Sequence, residues 1–199
     1  MNRNIFLKNI KRQRGVSLIE LVVAVGLFAV ITLSATAIFK LVIDGQRNSL
    51  SAQNVQENMR YAMEKMSKEM RMATIGNHDC ETLLDSAPTA VYKVFNTTDS
   101  DSTLYFKNQD NLCVAYYLDM SSKRLKIKLD TGSEIKDDYI TPAKIEVSDL
   151  KFFVNDDEIG VFHSTQPCVT MTMKAKASGL KGGVQEMRIQ FSISSRYYE

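Results

Sequence analysis

Glu20 is the residue of this chain whose type and position point most clearly to a chemical role. It stands at the start of an apolar run, because the nineteen residues from Leu21 to Phe39 carry no charge. If that run crosses a membrane, a carboxylate at mid-bilayer depth costs on the order of 2.5–3.5 kcal/mol, and less near an end of the run. The charge still needs a partner, so its position favours ion pairing in an apolar environment.

No arrangement typical of catalysis is found elsewhere in the sequence. There is no Ser-His-Asp arrangement, G-x-S-x-G, P-loop or H-E-x-x-H motif, and we interpret the adjacent His163 and Ser164 as chance neighbours. The cysteines form no C-x-x-C pair, and His78 is far from His163, so a zinc site is poorly supported. The sequence therefore predicts a protein that is not an enzyme.

Two acidic clusters are the remaining candidates for ligand binding. Asp99 with Asp101, and separately residues 156–158, supply the clustered oxygen ligands that Ca²⁺ prefers. Neither cluster has the spacing of an EF-hand loop. Solvated turns are the favoured interpretation and Ca²⁺ is the alternative, so we expect no cofactor.

The elements that position Glu20 are a basic leader and a long apolar helix. Residues 1–15 contain no acid and five cations, namely Arg3, Lys8, Lys11, Arg12 and Arg14. The run from Leu21 to Phe39 would make about 28 Å of helix, close to the thickness of the hydrocarbon layer. Cations before the run place its C-terminal side outside the cytoplasm. A secretory signal has a shorter apolar stretch and a small-residue cleavage site, and a plain signal anchor leaves Glu20 unexplained.

The segment RGVSLIE, followed by this helix, resembles the cleavage and methylation motif of type IV pilins and type II secretion pseudopilins. The resemblance implies that prepilin peptidase cuts after Gly15 and that Val16 becomes an N-methylated N-terminus, although the family often has Phe there. It also implies that Glu20 meets the N-terminal amine of a neighbouring subunit. Such pairing would remove two unpaired charges from an apolar filament core, where they are costly. We expect Val16 and Glu20, four residues apart, to share one helix face.

A second helical pattern follows the apolar run without a proline break. Apolar residues recur at spacings of three and four, which predicts one buried stripe at Val55, Met59, Met63, Met66 and Met70. We interpret these methionines as core packing and not as metal ligands. One helix over residues 16–74 is therefore expected. Residues 54–73 also resemble the end of this helix in PilW-like minor pilins and J-type minor pseudopilins.

The rest of the chain is rich in short β patterns. The predicted strands contain β-branched and aromatic residues and are separated by polar turns; they are AVYKVFN, TLYFK, LCVAYYLD, RLKIKL, IEVSDLKFFV, CVTMTMKA and EMRIQFSIS. Connections between them look too short for a parallel arrangement. The predicted fold class is α+β, with a long N-terminal helix packed against a mostly antiparallel β-sheet head, as in pilins.

Three cysteines, Cys80, Cys113 and Cys168, fit one disulfide and one free thiol if this head lies outside the cytoplasm. Three pairings are possible. We favour Cys80 with Cys113, because both fall in the first half of the head.

These features divide the chain into a leader (1–15), a transmembrane or filament-core helix (16–39), an amphipathic continuation (40–74) and a β-rich extracytoplasmic head (75–199). A net charge of +2 argues against nucleic-acid binding. The resemblance implies a minor subunit of a type IV pilus or type II pseudopilus, at the tip or in initiation. Implied partners are other subunits, the peptidase, the inner-membrane assembly platform and lipid before assembly. The alternatives are a major or competence-type pilin, or a membrane-anchored enzyme or ligand-binding domain.

Overall fold

The computed structural model describes six stretches of the chain, residues 15–75, 90–98, 101–132, 134–156, 166–177 and 186–196. The leader cations, Cys80, Asp99, residues 157–158, both histidines and Ser164 lie outside the described residues. The chain divides into two compact units, one ending at Gln46 and the other beginning at Arg47.

Helix α1 runs from Leu18 to Arg71, within three residues of the predicted limits. Its last turn tightens, because the N–H groups of Met72 and Ala73 donate to carbonyls only three residues back, at 3.1 Å each. Lys68 and Arg71 lie in this last turn, where cations interact favourably with the helix dipole. The sequence therefore predicted the extent of the helix well.

The predicted apolar stripe of α1 is confirmed within the second unit. Five of its residues are buried, namely Val55, Met59, Ala62, Met66 and Met70. Met63 is only partly buried and packs at the margin of the same core. Arg60 and Glu64 form an exposed ion pair at 3.0 Å. The methionines thus act as core residues, as their helical spacing indicated.

Five strands make the first sheet, an antiparallel meander in the order β1-β2-β3-β4-β5. They are β1 (Tyr92–Asn96), β2 (Ser102–Lys107), β3 (Cys113–Asp119), β4 (Arg124–Asp130) and β5 (Ile135–Tyr139). The first four were predicted and β5 was not. All five residues of β5 are exposed. Its sequence, IKDDY, therefore lacks the alternation of apolar and polar residues that indicates a half-buried strand. Its charged side chains suit an edge strand, where they discourage pairing with other chains.

Three strands make a second antiparallel sheet, in the order β6-β7-β8. They are β6 (Ile145–Asn155), β7 (Cys168–Ala177) and β8 (Met187–Ser194), all predicted. The predicted antiparallel head is thus confirmed, and its strands form two separate sheets in the described part of the chain. β6 has an irregular register between Ser148 and Lys151, where Asp149 adopts a positive φ of 53°. Such a bulge bends the strand and changes the direction of the side chains that follow.

Side chains of β2 and its preceding loop link the two sheets. The Asp101 carboxylate accepts a hydrogen bond from the N–H of Leu150 at 2.9 Å. The Ser102 hydroxyl accepts one from the N–H of Phe152 at 2.8 Å. These bonds occupy buried backbone donors of β6 that would otherwise be unsatisfied. Leu150 and Phe152 are thereby held in the core that both sheets share with α1.

Two tyrosines attach the end of α1 to the first sheet. The Tyr116 hydroxyl donates to the Glu69 carboxylate at 2.7 Å, and the Tyr92 hydroxyl donates to the carbonyl of Met70. Burial raises the pKa of both phenols above the usual value, so both remain protonated donors. The second sheet is attached as well, because the N–H of Arg196 donates to the carbonyl of Arg71 at 2.8 Å.

Met66 tests whether the helix stripe holds this core together. Its side chain is fully buried, so Met66→Ala leaves a cavity and should lower the free energy of unfolding by about 2–5 kcal/mol. Tyr61→Ala is the control on the same helix, because Tyr61 is 63% exposed. It should change stability by less than about 0.5 kcal/mol. Urea unfolding of the full chain in detergent, followed by tyrosine fluorescence, measures both. Equal effects of the two substitutions would contradict the packing described here.

Candidate functional site

The candidate site lies where α1 begins. Gly15, Val16 and Ser17 precede the helix, and the carbonyl of Ser17 accepts the first helical hydrogen bond, from Leu21 at 3.2 Å. Ser17 therefore occupies the N-cap position, which favours serine. The helix begins two residues later than expected, so Val16 lies just before it. Val16 is 71% exposed, and Gly15 has open space around it.

Ser17 and Glu20 occupy the positions of a capping box, Ser-x-x-Glu, which the sequence analysis missed. Neither side chain makes a hydrogen bond or an ion pair within the described part of the chain. Glu20 also lies in the first turn, where the helix dipole favours an anion. The site thus presents an exposed carboxylate without a partner among the described residues, four positions after Val16.

From Leu21 to Phe39, helix α1 is apolar on all sides. One described helix is long and apolar enough to cross a membrane, and none of the most apolar stretch is buried. Exposure of its large apolar side chains reaches 71% at Leu33. Lipid or other apolar helices are the environments that would cover such a surface.

Hydroxyl groups within the apolar stretch are satisfied inside the helix. Thr32 and Ser34 donate to carbonyls four residues back, at 2.8 and 2.9 Å. Thr36 donates to the carbonyl of Leu33 at 2.8 Å. Bonds of this kind leave no unsatisfied hydroxyl donor in hydrocarbon. Among the polar side chains from Leu21 to Phe39, all three hydroxyls are therefore compatible with a membrane interior.

The remaining candidate residues lie in the head. Cys113, at the start of β3, is disulfide-bonded, and Cys168, at the start of β7, is a free thiol. Because Cys80 is not among the described residues, its pairing with Cys113 stays a prediction.

The described members of the acidic clusters make structural hydrogen bonds. Asp101 links the sheets as given above. The Asp156 carboxylate accepts hydrogen bonds from the N–H groups of Val91 and Tyr92 at 2.8 and 3.2 Å. In the stretches that the structure covers, no three His, Cys, Asp or Glu side chains gather in a geometry suited to a metal. These carboxylates therefore serve the fold in the structure as described.

Comparison with protein families gives one match. Residues 10–36 match the prokaryotic N-terminal methylation motif. The matched segment contains Gly15, Val16 and Glu20, and it supports the resemblance to type IV pilin-like prepilins, without distinguishing PilW-like from J-type proteins. The fold is consistent with this, since one long apolar N-terminal helix precedes antiparallel sheets. Searches of curated proteins and of solved structures gave no match.

Proposed function

We propose that this chain is a minor pilin or pseudopilin subunit, cut after Gly15 by prepilin peptidase and assembled through α1 into a type IV pilus or type II pseudopilus. The observation that carries the proposal is the uncovered apolar helix headed by Glu20, within the segment that matches the methylation motif. The role is structural, and the chain itself performs no chemistry.

The proposed mechanism follows from how the apolar surface is covered. Before assembly, lipid of the cytoplasmic membrane surrounds the first half of α1, with the head outside the cytoplasm. On the assembly platform, helices of other subunits replace the lipid. Cleavage creates a positive amine at Val16, and this amine pairs with Glu20 of an adjacent subunit. Because each unpaired charge is costly in an apolar core, the pair also fixes the register between helices.

The minor role, in initiation or at the tip, rests on the likeness of residues 54–73 to PilW-like and J-type proteins. A minor subunit is present in few copies per filament. Sheared filaments should therefore contain little of this chain, whereas a major pilin would dominate them.

The proposed extracytoplasmic position agrees with a disulfide between Cys80 and Cys113. Thr74 bridges Lys107 on β2, and Lys107 pairs with Cys113 on β3. Two strand spacings separate Thr74 from Cys113, roughly 10 Å. Six residues of chain span up to about 20 Å, so Cys80 is within reach.

Gly15→Ala tests the cleavage. A methyl group at the residue before the cut should block the peptidase, which leaves a precursor heavier by the leader of fifteen residues. Gly26→Ala is the matched control, since a Cβ at Gly26 meets nothing within 4 Å. It should be processed normally. Immunoblots of cells that contain the peptidase show the difference in mobility. A Gly15→Ala chain that migrates like the mature protein would contradict the cleavage.

Glu20→Ala tests the pairing. The substitution should leave membrane insertion intact but lower incorporation into filaments at least tenfold, because the amine of a neighbour loses its counter-charge. Glu57→Ala, an exposed carboxylate further along α1, is the control and should have no effect. Co-purification with sheared filaments provides the measurement. Normal incorporation of the Glu20 variant would show that the carboxylate has no pairing role.

Peptide mapping under non-reducing conditions tests the disulfide. We expect a linked peptide pair that contains Cys80 and Cys113, together with alkylation of Cys168 once the protein is unfolded. Cys80→Ser should leave Cys113 open to alkylation, whereas Cys168→Ser should leave the linked pair intact. A linked pair that contains Cys168 would contradict the proposed pairing.

A further inference from the structure

The second unit contains an open groove of about 820 Å³ beside α1. One wall is the face of α1 that begins with Arg47 and Leu50. The other wall is the segment before β6, with Pro142, Ala143 and Lys144. Leu50 is 59% exposed, which makes the groove partly apolar and open to solvent. Nothing in the proposed assembly mechanism uses this groove.

The groove has an uncompensated positive charge. Its described lining includes two cations, Arg47 and Lys144, and no acid. Neither cation has an ion-pair or hydrogen-bond partner within the stretches that the structure describes. Arg47 and Lys144 are therefore available to bind an anion, and the apolar side chains that line the walls are available to contact hydrocarbon.

The chain itself keeps this groove close to the apolar segment. Arg47 follows Ile43, the last apolar residue before Asp44, by four positions. Four residues span at most about 14 Å in any conformation. If the membrane covers α1 up to Ile43, with the Lys40 ammonium at the interface, the backbone of Arg47 lies within about 14 Å of the hydrocarbon. The long Arg47 side chain then reaches back toward the lipid headgroups, which extend about 5–8 Å beyond the hydrocarbon on each side. Tethering gives these headgroups a high effective concentration at the groove.

We propose that the groove binds an anionic phospholipid of the cytoplasmic membrane. Arg47 and Lys144 hold the lipid phosphate, and an acyl chain lies against Leu50, Pro142 and Ala143. The inference rests on the proposed function, because it needs the membrane-anchored state. A second copy of this chain is the less suitable occupant, since it brings a groove with the same positive charge. Bound lipid would hold the head at the membrane before assembly and would be released with the rest of the lipid when α1 enters a filament.

Photolabelling of the full chain in nanodiscs tests the proposal. The probes are phosphatidylglycerol and phosphatidylcholine, each with a diazirine on the acyl chain near the glycerol, and adducts are mapped by peptide mass. Phosphatidylglycerol should label the peptides that contain Leu50 and Ala143 much more than phosphatidylcholine does. Basic residues near a membrane surface contribute about fivefold each to binding of anionic lipid. Arg47→Gln combined with Lys144→Gln should therefore lower this labelling by roughly twenty-five-fold.

The control variant combines Arg188→Gln with Lys128→Gln, which makes the same charge change outside the groove. It should label like the wild type. Equal labelling by the two lipids, an equal loss in the control, or cross-links to a second chain in place of lipid would each overturn the proposal. Labelling of the segment from Leu21 to Phe39 distinguishes failure of the lipid site from failure of the membrane anchor. If that segment is labelled and the groove is not, only the lipid site is wrong; if neither is labelled, the membrane anchor is wrong as well.

Discussion

An apolar surface that the rest of the described chain leaves uncovered is the constraint on which this protein depends. Seventeen large apolar side chains between Val16 and Ile43 are between 46% and 81% exposed. Burial of each contributes roughly 1.5–3 kcal/mol, so their exposure to water would cost tens of kcal/mol. Lipid or other helices must cover this surface. A helix that moves from one of these environments to the other keeps its apolar contacts throughout, which is what a filament subunit needs.

Apolar contacts of this surface are not directional, and Glu20 adds one position on it that can make a specific interaction. Within lipid the hydrophobic effect neither drives helices together nor fixes their register, because lipid chains are as apolar as leucine. A carboxylate that makes no bond to its own N-cap is open to a charge on another chain. The hydroxyls further along are already bonded within the helix, so they do not compete for that role. Apolar packing against other helices would thus hold subunits together in a filament, and Glu20 would align them.

The second half of α1 and the sheets of the head show which structural features could be predicted from the sequence and which could not. The stripe of Met59, Met66 and Met70 was predictable, because helical spacing of apolar residues reports directly which face is buried. Strand β5 was not predictable, since all five of its residues are exposed and carry no alternation. The separation into two sheets was missed as well. It depends on Asp101 and on Ser102 bonding to β6 about fifty residues later, which no local pattern indicates.

The residues proposed for the site, Gly15, Val16 and Glu20, can be named from the sequence because they lie inside one motif. The groove could not be predicted from the sequence, because Arg47 and Lys144 come to line it only through the fold.

The most direct test of the central claim is mass spectrometry of the intact chain, purified from the membrane of cells that carry the assembly machinery. We predict a mass that corresponds to a chain starting at Val16 with one added methyl group. A chain that retains Met1 and the basic leader would contradict the account, because no new amine would then exist for Glu20 to bind.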